Sequence, residues 1–107
     1  ENKSLCFPPS ADSVPTSLGQ EDHVSMGSIS GRKFNQVLGN LEKILAIELM
    51  YGAQALEFRG SLQYSKLIQK NHHLIRTKVP KLEEDRLLKD DIQNLVDLVN
   101  NQTFIVN

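Results

Sequence analysis

The sequence predicts an all-α fold in which one long central helix is followed by shorter helices. Apolar residues recur every three or four positions through the middle of the chain, as they do on one face of a helix. No stretch of useful length alternates apolar and polar residues in the manner of a half-buried strand. Gly60 and Pro80 stand where the helical patterns stop. A chain of 107 residues can bury one modest core.

The chain divides by pattern into an irregular lead-in over residues 1–19 and a helical segment over residues 20–107. The lead-in is rich in proline and serine and has no helical periodicity, and it opens without a methionine, which suggests part of a longer chain. The long helix is predicted to begin near Val24 and to end around Gly60, which can adopt a left-handed backbone. Its apolar positions are Phe34, Val37, Leu38, Leu41, Ile44, Leu45, Leu49 and Leu56.

Shorter helices are predicted after Gly60. Ser61 is the expected N-cap of the second helix, which ends before Pro80. A short helical turn is expected over residues 82–88. The last helix should begin at Asp90 and Asp91, whose negative charges interact favourably with the positive N-terminal end of a helix. Its apolar side would hold Ile92, Leu95, Val96 and Val99.

Residues 44–56 are apolar on nearly every helical face, with Glu48 as their only charge. Such a helix must be surrounded by other protein. Thirteen residues are too short for a membrane span, which needs about 20. The other predicted helices are too few to enclose it, so we expect missing chain or further subunits to do so.

Composition excludes several kinds of partner and site. Twelve basic and 13 acidic residues give a net charge of −1, which argues against a nucleic-acid partner. The single Cys6 permits no internal disulfide and fits a cytoplasmic protein. We predict no metal site, because the adjacent His72 and His73 point in different directions on a helix. Cys6 and His23 have no zinc-like spacing.

The chemically most versatile cluster is the run Gln20-Glu21-Asp22-His23, at the predicted start of the long helix. Carboxylates near a helix N-terminus stay ionised and can orient a cation, and histidine titrates near neutral pH. The cluster could therefore bind an ammonium group or exchange a proton with a substrate. The alternative is structural: Asp22 caps the helix, and its neighbours are ordinary surface residues.

A resemblance to a known family chooses between these interpretations. The stretch from Asp12 to Ser17, followed by Gln-Glu-Asp-His-Val-Ser-Met-Gly at residues 20–27, resembles a signature of the histidine ammonia-lyases. Residues 45–49 and 53–59 resemble the next helix of that family. Val79-Pro80, residues 82–86 and Asp91-Ile92 are similar to its C-terminal tail. The resemblance follows nearly the whole chain in order.

The resemblance implies a carbon-nitrogen lyase of histidine catabolism, which converts L-histidine to trans-urocanate and ammonia in a cytoplasmic homotetramer of helical bundles. Its electrophile, methylidene-imidazolone, forms from an internal Ala-Ser-Gly. This chain has none, since Ser30-Gly31 follows Ile29. We therefore expect the cofactor to come from residues outside the chain, and the chain alone, a C-terminal fragment, to be inactive.

The resemblance also assigns roles. Glu21 matches the family's active-site glutamate, which faces the substrate, whereas phenylalanine and tyrosine lyases usually carry an amide there. Gln20 and His23 match supporting or substrate-binding positions. Leu18-Gly19 stands where the family more often has Ala-Asn, and the glycine is expected to loosen the loop before Glu21.

Two other functions stay open on the sequence alone. One is a helical interaction module, in which residues 44–56 dock on a partner and the 20–23 cluster is only a cap. The other is a fragment of a tyrosine or phenylalanine ammonia-lyase or aminomutase. An upstream in-frame Ala-Ser-Gly would support a lyase over the module.

Overall fold

A computed structural model describes residues 1–9, 17–19, 24, 26–60 and 63–104. Within these ranges the chain forms helices and no strand, which confirms the all-α prediction. The helices are α1 (Asn2–Leu5), α2 (Gly27–Phe58), α3 (Lys66–Arg76) and α4 (Lys89–Asn100), with a 3-10 turn at Ser17–Gly19. The chain comprises two compact units, Glu1–Asn40 and Leu41–Asn107.

The long helix α2 is confirmed, but it begins later than the pattern predicts. Val24 is not helical, and the first helical bonds run from the N–H groups of Ile29 and Ser30 to the Met26 carbonyl, each at 3.1 Å. At the other end, Gly60 has a φ of +66°, in the left-handed region where glycine is favoured. The predicted stop at Gly60 is therefore confirmed.

The helix α3 is capped by Ser65, so the prediction of Ser61 as its cap is wrong. The N–H of Ile68 donates to the Ser65 hydroxyl at 3.3 Å. Ser61 lies outside the described residues, and residues 63–65 are not helical. The helix ends at Arg76, before Pro80 as expected, and the Thr77 N–H donates to the His73 carbonyl at 3.0 Å.

The helical turn expected over residues 82–88 does not form. Side-chain hydrogen bonds hold this segment instead. Gln54 of α2 pairs with both backbone groups of Leu82, at 3.1 Å each, and satisfies groups that a helical turn would otherwise pair locally. Within the segment, Arg86 donates to the carbonyls of Pro80 and Lys81 at 2.9 and 3.2 Å.

The core of the Leu41–Asn107 unit lies where α2, α3 and α4 meet. Its buried members are Ala46, Ala53, Ile75, Val79, Leu95, Val96 and Leu98. Leu98 was not among the apolar positions predicted for the last helix. Asp91, expected only to favour the start of α4, is also buried and receives the Arg86 guanidinium at 2.8 Å. This ion pair fixes the segment between α3 and α4, residues 77–88, onto the first turn of α4.

Much of the apolar surface of α2 is uncovered by the residues described. Within the Leu41–Asn107 unit, Ile44, Tyr51 and Phe58 are 52%, 69% and 78% exposed. The only fully buried residues of α2 are the small Ala46 and Ala53. The exposure of these apolar side chains therefore agrees with the expectation that further protein surrounds this helix. None of the described helices is long and apolar enough to cross a membrane.

In the Glu1–Asn40 unit, the helical turn α1 was not predicted from the sequence. The Asn40 amide donates to the Asn2 side chain at 2.7 Å, and the Lys33 ammonium donates to the Phe7 carbonyl. The same ammonium lies 5.6 Å from the centre of the Phe7 ring. Contacts with α2, which a pattern along the chain does not reveal, hold this segment in place.

Candidate functional site

The residues predicted to form the site lie outside the described part of the structure. Gln20, Glu21, Asp22 and His23 all fall in the stretch 20–23, which is not among the described residues. The structure does describe the backbone on either side, at residues 17–19, 24 and 26 onward. These flanking residues restrict how the stretch can be interpreted.

On the N-terminal side, the backbone turns through two consecutive left-handed residues. Leu18 has a φ of +56° and Gly19 a φ of +83°. A Cβ at Gly19 would meet no atom within 4 Å, so its backbone angle and not crowding favours glycine. Asparagine is the side-chain-bearing residue that tolerates this conformation best. Gly and Asn therefore fit the same backbone immediately before Gln20.

On the C-terminal side, the late start of α2 corrects one sequence-based interpretation of the cluster. Asp22 is five positions before Gly27, so it is not the N-cap of α2, and the capping alternative is wrong. The prediction that a helix N-terminus holds Glu21 ionised falls on a residue outside the described part of the structure.

The most connected ionisable cluster in the described residues lies between α2 and α3. The Arg76 Nε donates to Glu57 Oε1 at 2.6 Å, and the His72 Nε2 lies 3.2 Å from the same oxygen. The side chains of Glu57, Arg76 and His72 are 20%, 14% and 27% exposed. His72 is thus partly buried, whereas the adjacent His73 is exposed.

The environment of Glu57 holds its carboxylate ionised. Burial alone would raise its pKa, but the hydrogen bond and charge of Arg76, together with His72, outweigh burial and lower the pKa below the usual value of 4.5. Its second oxygen, Oε2, is buried without a hydrogen bond. A carboxylate held in this way is a poor base at neutral pH, so the cluster is suited to holding two helices together.

Gln54 connects this cluster to the segment between α3 and α4. Its side-chain oxygen receives the Leu82 N–H and an Arg76 Nη2 donor, at 3.1 and 3.4 Å. Arg76 also donates to the Val79 carbonyl at 3.2 Å. Arg76 therefore connects α2, α3 and the segment after α3. Among the residues the structure describes, no three His, Cys, Asp or Glu side chains come together in a way that could hold a metal ion.

Sequence reasoning missed this cluster because its partners are far apart along the chain. Glu57 and Arg76 are 19 positions apart, and their pairing depends on how two helices align. One local feature could have indicated it: His72 and Arg76 are four apart on α3 and therefore share a face. The acid on the preceding helix completes the pair.

Comparisons with known proteins agree on one family. The sequence profile of the family described as aromatic amino acid lyase matches residues 1–77. A histidine ammonia-lyase of Natranaerobius thermophilus is 50% identical over 99 residues, which are 92% of this chain and 20% of that protein. A histidine ammonia-lyase of Bacillus velezensis is 40% identical over 107 residues, covering 100% of this chain and 21% of the relative.

A solved structure has the same fold over nearly all of the chain. The crystal structure of histidine ammonia-lyase from Trypanosoma cruzi superimposes with a TM-score of 0.88 and 41% sequence identity. It covers 95% of this chain, which corresponds to 20% of that structure. The chain thus spans about a fifth of the length of the relatives it matches.

Proposed function

The chain belongs to the aromatic amino acid lyase family, and on that premise we propose that it is the C-terminal part of a histidine ammonia-lyase. The complete enzyme would eliminate ammonia from L-histidine to give trans-urocanate. Relatives named histidine ammonia-lyase match 92–100% of this chain at 40–50% identity. This observation supports histidine as the substrate. The irregular lead-in of residues 1–19 would precede the helical segment of residues 20–107.

Glu21 is the catalytic residue of this proposal. A carboxylate at the substrate can pair with the ammonium group or with an imidazole N–H by a charge-assisted hydrogen bond, which is stronger than the neutral bond of an amide. Gln20 and His23 would support it or contact the substrate. The left-handed φ of Gly19 supports a defined backbone before this run, since glycine fits there as well as the asparagine that the family more often has.

The methylidene-imidazolone cofactor would have to come from other parts of the enzyme. The chain contains no Ala-Ser-Gly. Its one Ser-Gly pair, Ser30-Gly31, lies in the first turns of α2 and follows Ile29. The residues described here therefore do not fit the formation of that group, and the chain's own contribution is to bind and orient the substrate.

The chain alone would be inactive and would work within a larger cytoplasmic assembly, a homotetramer of complete subunits. The exposure of Ile44, Tyr51 and Phe58 on α2 supports this, because large apolar side chains gain about 25 cal/mol for each Å² removed from water. About four-fifths of the length of the relatives lies outside the matched region. That length is enough to cover these side chains.

The test is the substitution Glu21→Gln in the complete enzyme. We expect urocanate formation to fall by about 100-fold or more, because the amide removes the charge but keeps the shape. Glu83→Gln is the matched control, since the Glu83 side chain is 76% exposed and its ion pair with Lys81 is long, at 3.5 Å. Equal rates for the two variants would remove Glu21 from the catalytic site. Size-exclusion chromatography should give the same assembly for both.

A further inference from the structure

The N-terminal arm, residues 1–9, is attached to α2 by two polar contacts. The Lys33 ammonium donates to the Phe7 carbonyl, and the Asn40 amide donates to the Asn2 side chain at 2.7 Å. All four residues belong to the first compact unit. The two contacts join residues that are 26 and 38 positions apart, so each of them closes a long segment of chain.

Apolar packing contributes little to this attachment. A crevice of about 290 Å³ lies between the arm and α2, and on α2 it is lined by one helix face that includes Lys33, Phe34 and Val37. Phe7 on the arm and Phe34 on the helix are 70% and 63% exposed. Because both rings stay mostly in water, the polar contacts determine where the arm lies.

Lys33 provides the stronger of the two attachments. Its ammonium binds the Phe7 carbonyl and also lies 5.6 Å from the centre of the Phe7 ring, within the range of a cation–π contact. A hydrogen bond from a charged donor is stronger than a neutral one, such as the bond between the Asn40 and Asn2 side chains. Loss of the Lys33 ammonium would therefore weaken the attachment of the arm more than loss of the Asn40 amide.

The run that contains Glu21 lies within the segment that Lys33 closes. Residues 20–23 follow Phe7 in the chain and precede α2, the helix that carries Lys33. A contact that closes a segment reduces the number of conformations open to every residue within it. The next such contact along the arm is that of Asn2 with Asn40, so without Lys33 the closed segment lengthens from 26 to 38 positions.

We infer that Lys33 is a positioning residue for Glu21 in the complete enzyme. By attaching the arm to α2, it restricts the chain on the N-terminal side of the run, and α2 itself restricts the other side. Lys33 acts through Glu21 and does not contact the substrate. The inference rests on the proposed function, because it requires that the Glu21 carboxylate binds the substrate.

The experiment measures kcat/KM for urocanate formation by the complete enzyme with Lys33→Met. Methionine keeps the helix propensity of lysine but removes the donor and the charge. Lengthening the closed segment from 26 to 38 positions makes any one closed geometry about twofold less probable. Misplacement of a catalytic group costs more, so we expect kcat/KM to fall about three- to tenfold.

Two further variants accompany Lys33→Met. Lys33→Arg should restore most of the activity, because a guanidinium can donate to the Phe7 carbonyl and lie over the ring. Lys43→Met is the matched control, since Lys43 is an exposed lysine further along α2, and it should leave kcat/KM unchanged.

A double-mutant cycle separates positioning from a general loss of structure. If Lys33 acts through Glu21, Lys33→Met should lower kcat/KM by less than about twofold in an enzyme that already carries Glu21→Gln. A merely structural role would cost the same factor in both backgrounds. Size-exclusion chromatography and far-UV circular dichroism should be the same for all variants.

Three results would overturn the inference: full activity of Lys33→Met, an arginine variant no better than the methionine variant, or an equal loss in the Glu21→Gln background. Each of them leaves the proposed function standing when Glu21→Gln alone lowers urocanate formation. Full activity of Glu21→Gln would instead contradict the proposed function, whatever the result at Lys33.

Discussion

Replacing Arg76 with methionine should destabilise the chain, because it leaves Glu57 mostly buried without its main cation. The two side chains are 14% and 20% exposed and meet at 2.6 Å. Breaking a fully buried ion pair costs roughly 3–5 kcal/mol, and an exposed pair contributes about 0–1 kcal/mol. With about four-fifths of the Glu57 side chain covered, we expect a loss of about 2–3 kcal/mol in the free energy of unfolding.

For a domain of this size, each kcal/mol shifts Tm by about 4–8 °C. The Arg76→Met variant should therefore unfold about 8–24 °C below the unsubstituted chain, as followed by far-UV circular dichroism near neutral pH. Lys70→Met is the control, since Lys70 is an exposed cation on the same helix. A Tm for Arg76→Met that equals the control would refute the stabilising role of the pair.

The same pair predicts the direction of a pH effect. The folded-state pKa of Glu57 is lowered from 4.5, so its contribution to stability is present above that value and is lost as the pH falls through the folded pKa. In Arg76→Met, burial without the arginine favours the protonated carboxyl group. The Tm difference between the two proteins should therefore shrink in acid. A difference that grows below pH 4.5 would contradict this account.

Three further predictions concern the backbone and a helix cap. Gly60→Ala should lower Tm by several degrees, because a left-handed φ of +66° costs an alanine about 1 kcal/mol. The space around Gly60 is open, so the added methyl group causes no clash. An unchanged Tm in thermal denaturation would contradict this prediction. Ser65→Ala should cost about 1 kcal/mol in urea unfolding through loss of the α3 cap, whereas Ser61→Ala should not. In the complete enzyme, Gly19→Asn should retain urocanate formation, whereas Gly19→Val should lose most of it, because a β-branched residue does not tolerate a φ of +83°. Equal rates for the two variants would show that this backbone angle does not position Glu21.

The three longer helices could be predicted from the sequence because their determinants are local. Apolar spacing predicted α2, Gly60 predicted its end, and Pro80 limited α3. The errors arose where one local feature competed with another. Ser61 and Ser65 are equally good caps by type, and only the position of the folded chain selects Ser65.

The polar contacts could not be predicted, because they join residues that are distant in sequence. Gln54 binds Leu82 and Glu57 binds Arg76, across 28 and 19 positions. No periodicity encodes such pairs, since they depend on how two elements pack. For the candidate site at residues 20–23, the sequence was more informative than the structure. The types and order of these residues predicted a role through resemblance to a family, whereas the residues themselves lie outside the described part of the chain.

The most direct test of the central claim is urocanate formation after mixing this chain with a complementary fragment, defined as the Natranaerobius thermophilus histidine ammonia-lyase without the 99 residues that match this chain. Neither piece alone should convert L-histidine, because one lacks the Ala-Ser-Gly sequence and the other lacks the run that contains Glu21. The mixture should form urocanate, measured by its ultraviolet absorbance, and Glu21→Gln in the chain should abolish most of that signal. Urocanate from the complementary fragment alone, or a stable but inactive complex, would contradict the claim that this chain completes a histidine ammonia-lyase.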